Sequence, residues 1–182
     1  MAKNLIDAGY DLTVWNRSQA KIDDVAAHGA TGASSAKEVA EKSEIIITIV
    51  TDSPDVERVV LGEDGVLEGA KSGSIVVDMT TMSPKITGEI ATALGEKGVE
   101  MLDAPVSGGD IGAQNGTLSI MVGGPTSAFE RALPLFEVMG QNIVHAGEDN
   151  GLGQYVKLCN QLAAVGNLQA TCEAVARGKR AG

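Results

Sequence analysis

The sequence predicts an α/β protein of the doubly wound, Rossmann type, with a mostly parallel sheet followed by one long helix. Three observations lead there. Short β-branched runs alternate with helical stretches along most of the chain, the signature of βαβ units around a parallel sheet. The 182 residues, 43% of them hydrophobic, are enough for one globular domain with a substantial core. The last thirty or so residues hold no strand-like run and no proline, and they are rich in Ala, Leu and Gln.

Residues 2–8 (AKNLIDA) read as a helix stopped by Gly9, and Asp11–Asn16 (DLTVWN) as the strand after it, with a short strand at Ala30–Ala33. The opening is therefore the second half of a βαβ unit whose first strand is absent from the sequence. In a dinucleotide-binding fold that piece carries the Gly-rich turn that seats a pyrophosphate on a helix N-terminus. No G-x-G-x-x-G precedes a helix here. Further strands are expected at Glu44–Val50, Ser74–Met79, Val99–Ala104, Leu118–Val122 and Asn142–Ala146.

Between them, Ile86, Ile90 and Leu94 mark a helix over Pro84–Lys97, with Ser83 as N-cap and Pro84 at its first position. Phe129, Leu133, Phe136 and Met139 mark another, closed by Gly140. From about Leu152 the chain reads as a helix about 45 Å long, more than one compact domain needs, so part of it is expected to pack on another domain or subunit. The Ser107-Gly108-Gly109 segment reads as a tight loop between strands.

Composition narrows the function. The formal net charge is −10, which disfavours nucleic acid or an anionic membrane as a chain-wide partner. Any phosphate ligand needs a local site. The longest apolar run, Ile45–Val50, is broken by Thr48 and is far too short for a span, and the N-terminus lacks a secretory pattern, so no membrane association and a cytoplasmic location are expected. Cys159 and Cys172 lie 13 residues apart in one helix, about 20 Å, and cannot bridge. Both are expected to be core thiols. His28 and His145 lack ligand-spaced companions, so no metal site is expected. Trp15 is read as packing near the sheet end.

Four segments can carry chemistry. Asn16-Arg17-Ser18 ends the DLTVW strand where an NAD site places Asp or Glu; Arg with small polar neighbours suits a 2′-phosphate, and the alternative is a plain polar turn. Val50-Thr51 and Thr81 sit at strand ends, where ligands of open α/β sheets bind, though Thr and Ser also serve as ordinary loop formers. Ser107-Gly108-Gly109 exposes successive N–H groups without a Cβ in the way, which suits a carboxylate or oxyanion. Lys157 shares a helix face with Gln161, and Asn160 lies beside it. A lysine among apolar neighbours can have its pKa lowered and act as a proton donor, against the plain reading of a surface lysine.

Together, N-R-S, D-A-P-V-S-G-G-D-I-G-A-Q-N-G-T-L and G-x-G-Q-x-V-K-L-C-N-Q resemble the β-hydroxyacid dehydrogenase family over essentially the whole chain. Its members include 3-hydroxyisobutyrate dehydrogenase, 2-hydroxy-3-oxopropionate (tartronate semialdehyde) reductase and glyoxylate or succinic semialdehyde reductases. The resemblance implies an oxidoreductase that interconverts a small carboxylate-bearing aldehyde and its 3-hydroxy acid. It implies Lys157 as general acid and base, Ser107, Gly108 and Gly109 holding the substrate carboxylate, and Asn160 or Gln161 orienting the substrate. Asn16, Arg17, Ser18, Val50, Thr51 and Thr81 would hold the cofactor, with Arg17 pointing to NADP and NAD as the alternative.

In that frame residues 1–151 are a Rossmann-like domain incomplete at its N-terminus, and 152–182 begin the helix leading to an absent C-terminal helical domain. The expectation is a fragment of a homo-oligomeric enzyme that binds cofactor weakly by itself. Two rivals remain open. One is an enzyme like 6-phosphogluconate dehydrogenase, which has His-Asn where this chain has Asn160-Gln161; the other is a silent dehydrogenase-like scaffold.

Overall fold

The computed structural model describes residues 1–181. Helix α1 (Ala2–Asp7) leads through Gly9, held at φ +91°, to β1 (Thr13–Val14), α2 (Gln19–Ala26), β2 (Thr31–Gly32) and α3 (Ala36–Lys42). Then come β3 (Ile45–Thr48), α4 (Ser53–Leu61), α5 (Val66–Gly69), β4 (Ile75–Asp78), α6 (Pro84–Gly95) and β5 (Glu100–Asp103). The chain finishes with β6 (Val106–Ser107), α7 (Gly109–Asn115), β7 (Leu118–Gly123), α8 (Thr126–Met139), β8 (Gly140–Gly147) and α9 (Leu152–Ala181).

Strands β3, β4 and β5 pair in parallel and in register, Ile45 beside Ile75 and Ile75 beside Glu100. Their side chains alternate between two cores, as a sheet covered on both faces requires. Ile75, Val77 and Leu102 pack with Phe136 and Met139 of α8, while Val76, Met101 and Ile46 pack with Ile90 and Leu94 of α6 and Val56 of α4. Trp15 is partly buried against the second core.

The expected single sheet is divided. β1 and β2 form a parallel pair of their own, apart from the six-stranded sheet, and the two expected strands shrink to two residues each. Helix α3 packs against both β1 and β3 and so joins the two sheets. The larger sheet is mostly parallel, as expected, with β7 antiparallel to β5 and β6 and β8 parallel to β7. Asp103, Val106 and Ser107 face Gly123, Ile120 and Ser119 in one continuous register. β5 and β6 are thus one strand interrupted at Ala104–Pro105, and Ser107 is strand rather than loop.

Three local readings change. Ser83 occupies the N-cap of α6, yet its side chain makes no capping bond; its N–H donates to Ser53 Oγ at 3.2 Å. Gly140 ends α8 in extended backbone at φ −147°, not in a left-handed turn. Glycine is required there by close approach, since a Cβ would come within 2.5 Å of the Leu118 carbonyl oxygen. Finally, Cys159 and Cys172 are exposed rather than core thiols. In the first two turns of α9 one face, Gly153, Gln154 and Lys157, is buried against the sheet, whereas from Leu158 onward almost every residue described is exposed. Among the described residues no helix is long and apolar enough to cross a membrane.

Candidate active site

The site is built where β5 ends and α9 begins. Asp103, the last residue of a strand otherwise apolar at its end, is fully buried. Its Oδ1 accepts from the Gly151 N–H at 2.7 Å and its Oδ2 from the Gln154 N–H at 3.0 Å. A helix leaves its first N–H groups unpaired, so this carboxylate both satisfies them and faces the positive end of the helix dipole. Burial pushes the Asp103 carboxyl above its ordinary value, and these hydrogen bonds pull it back. The approach of α9 to the sheet depends on two glycines: a Cβ on Gly153 would lie 2.4 Å from the Met121 carbonyl oxygen, and one on Gly123 would lie 2.7 Å from the Gly153 nitrogen.

One turn along, Gln154 and Lys157 lie on the buried side of α9. Lys157 is 5% exposed and lines a cleft of about 520 Å³ together with Ser107, Gly108, Gly109, Asp110 and Gln161. Its ammonium has no hydrogen-bond or ion-pair partner among the described residues. Loss of hydration lowers its pKa from the ordinary 10.5. The opposite wall begins at β6, where the backbone turns through Gly108 at φ +136° and Gly109 at φ +64° into α7. Side chains other than glycine rarely adopt such conformations, and these bring the backbone itself to the cleft.

The cleft therefore unites Lys157, Gln161, Ser107, Gly108 and Gly109, residues drawn from segments about fifty positions apart. Asn160 is half-buried and stands outside the lining.

The remaining candidates lie at strand exits. Ser18 N–H donates to Asn16 Oδ1 at 3.0 Å, which closes the turn after β1. Arg17 is exposed, with Nη1 3.7 Å from Asp55 Oδ1, a carboxylate it shares with Arg58. Val50 N–H donates to Thr80 Oγ1 at 3.0 Å, tying the exit of β3 to that of β4. Thr51 and Thr81 are exposed, and neither they nor residues 16–18 line the cleft around Lys157. Of the β3 exit, Ile49 does so.

Asp78, Asp103, Thr80 and Gln154 organise these exits and bear little mark in the sequence. The available signal was an aspartate closing each of two buried strands, IVVD and EMLD. Asp78 Oδ1 accepts from Thr48 Oγ1 at 2.7 Å and Thr80 Oγ1 at 2.9 Å, while Oδ2 has no partner among the described residues. Burial pushes its pKa up to about 6 against those two hydroxyls.

His28 pairs with Asp7, and His145 stacks on Phe129 with its Nε2 2.8 Å from the Gly124 carbonyl oxygen. Among the described residues no three His, Cys, Asp or Glu gather as metal ligands.

Comparison with known proteins adds to this geometry. Residues 1–147 match the family model described as the NAD binding domain of 6-phosphogluconate dehydrogenase. The chain is 45% identical to an NAD-dependent L-serine dehydrogenase of Pseudomonas aeruginosa, over 98% of this chain and 59% of that protein. It is 44% identical to the 2-hydroxy-3-oxopropionate reductase of Escherichia coli, over 100% of this chain and 62% of that protein. The crystal structure of a 3-hydroxyisobutyrate dehydrogenase from Salmonella typhimurium superimposes with a TM-score of 0.88 at 33% identity, covering 100% of this chain and 63% of that one. The chain thus spans about six tenths of the length of the relatives it matches.

Proposed function

The chain belongs to the β-hydroxyacid dehydrogenase family, and on that premise we propose that the protein is an oxidoreductase. It interconverts a small carboxylate-bearing semialdehyde and its 3-hydroxy acid with NADP. The observation that carries this reading is the largely buried Lys157, whose ammonium has no partner among the described residues, in the same cleft as the Ser107-Gly108-Gly109 turn. One wall offers backbone N–H groups and a hydroxyl to a carboxylate, and the other offers a proton.

The strand exits fit a nicotinamide dinucleotide. Arg17 presents an exposed guanidinium beside a closed Asn16–Ser18 turn, suited to a phosphate in a chain that is otherwise strongly acidic. Val50, Thr51 and Thr81 provide backbone and hydroxyl groups for the ribose and carboxamide. When bound, the reduced cofactor supplies hydride to the aldehyde carbon.

Lys157 completes the reduction by donating its proton to the carbonyl oxygen, so that alcohol rather than alkoxide forms. The neutral amine left behind regains a proton from water. In the oxidative direction the same amine takes the hydroxyl proton. Desolvation favours the cycle, because a lysine with lowered pKa gives up its proton more readily than an exposed one. Gln161 lines the cleft and orients the substrate, whereas Asn160 lies outside the lining. The protein is expected to act as a homo-oligomer.

The test is a substrate panel. The purified full-length protein is offered tartronate, methylmalonate and succinate semialdehydes and glyoxylate with NADPH or NADH, and cofactor oxidation is followed by absorbance. Turnover of at least one, faster with NADPH, is expected. Turnover of 6-phosphogluconate with NADP and of no semialdehyde would overturn the reading.

A further inference from the structure

We propose that Gln154 is a positioning residue that fixes Lys157 against the turn carrying Thr81. It thereby sets where proton donor and nicotinamide meet. This inference rests on the function proposed above and adds to it a residue whose side chain lies outside the described cleft. Gln154 is fully buried, unusual for a long amide side chain, and every polar group it carries at this point is used. Its Oε1 accepts from the Met82 N–H at 3.0 Å, and its Nε2 donates to the Thr80 carbonyl at 2.8 Å. These two backbone groups flank Thr81. With a donor on one side and an acceptor on the other, only one orientation of the amide satisfies both. The Gln154 N–H meanwhile donates to Asp103 Oδ2.

The connections continue beyond this pair. Thr80 Oγ1 accepts from the Val50 N–H and donates to Asp78 Oδ1, so the exits of β3 and β4 are joined to each other and, through Gln154, to α9. Gln154 and Lys157 are three residues apart on one rigid helix and share a face. A shift of the Thr80–Met82 turn relative to α9 would therefore change the spacing between Thr81, proposed to hold the cofactor, and Lys157. A misplacement of about 1 Å can cost roughly a hundredfold in rate.

Three versions of the full-length protein test it: wild type, Gln154→Met and Gln154→Glu. Methionine fills nearly the same volume but leaves Met82 N–H and Thr80 C=O unpaired. Its kcat should fall about ten- to a hundredfold, with KM for cofactor and substrate changed less than about threefold. Glutamate keeps the acceptor for Met82 but turns a carboxylate towards the Thr80 carbonyl; once protonated, it regains a donor. Its kcat relative to wild type should therefore rise as pH is lowered, a recovery that a lost space-filling role would not show. An unchanged kcat in Gln154→Met, or a Gln154→Glu deficit that is the same at every pH, would overturn the proposal. If Gln154→Met does not fold, the pH-dependent ratio of Gln154→Glu to wild type decides alone. A wild type with no turnover overturns the reaction itself, whereas an active wild type with unimpaired variants overturns the clamp and leaves the reaction standing.

Discussion

The two ends of the candidate site are held in different ways. Around Lys157 the positions are set by buried bonds: Asp103 on the start of α9, Gln154 on the Thr80–Met82 turn, and glycines that let the helix touch the sheet. Around Arg17 the contacts are exposed, a turn closed by Asn16 and a loose pair with Asp55, on a two-stranded sheet apart from the main one. Buried networks are costly to disturb, whereas exposed pairs contribute little and rearrange easily. Proton transfer needs the first kind of construction, because the acid must lie within hydrogen-bond reach of a particular atom. Recognition of a phosphate charge tolerates the second.

Replacing Lys157 by alanine should have the largest effect. Turnover is expected to fall by about a thousandfold, within the range of general acid–base contributions, while cofactor affinity measured by calorimetry changes little. Equal losses in affinity and turnover would mean that Lys157 belongs to the cofactor site instead.

A smaller effect is expected from pH on the rigid end. Asp78 has a folded-state pKa of about 6, raised above its value of 3.8 in an exposed chain. The folded state therefore binds the proton more tightly. This contribution to stability is complete below about pH 4 and is lost as pH rises through 6, at most about 3 kcal/mol for a shift of this size. Asp103 is raised also and acts in the same direction. Urea unfolding of wild type and Asp78→Asn across pH 4 to 7 should show a steeper decline in the wild type than in the variant, which keeps only the Asp103 part; parallel curves would exclude Asp78 as a cause.

Two alanine substitutions contrast the buried and exposed parts of α9 itself. Gly153→Ala sets a Cβ against Met121 backbone and should destabilise by roughly 1–3 kcal/mol. Gly166→Ala meets nothing within 4 Å and should stabilise the helix by up to about 1 kcal/mol. Chemical denaturation of the two variants reads the difference, and a similar response in both would mean that α9 does not seat on the sheet as described.

The smallest effect belongs to the exposed end. Arg17→Asp should move the ratio of kcat/KM for NADPH over NADH towards NADH by about tenfold, the order expected for one charge-assisted contact. An unchanged ratio would remove Arg17 from the 2′-phosphate site.

How much of this was legible depended on where the physics was local. β3, β4, β5 and β7 are legible because each is a compact apolar run largely buried in the sheet. β1 and β2 are shorter than expected because their ladder holds only the pairs Thr13–Thr31 and Val14–Gly32, with the Leu12 carbonyl accepting from Thr31 N–H at its edge. β6 was invisible because two residues after a proline are strand only by virtue of their pairing with β7. Ser107-Gly108-Gly109 and Lys157 were each recognisable, but spacing alone could not bring them to one cleft. Gln154, Asp78 and Asp103 were overlooked as organisers for the same reason: a buried amide or carboxylate is defined by partners distant in sequence. Cys159 and Cys172 go the other way, expected as core thiols but lying on a stretch of helix that is exposed.

Central to the proposed reaction is a partly desolvated amine in the cleft that gives its proton to the reacting carbonyl. Single-turnover reduction of an accepted semialdehyde, followed as loss of NADPH absorbance between pH 6 and about 10, tests it most directly. The rate should fall with a single deprotonation below the ordinary lysine value of 10.5, and Lys157→Ala should lose that limb along with most of the rate. A rate that is level across the range, or the same falling limb in the alanine variant, would contradict it.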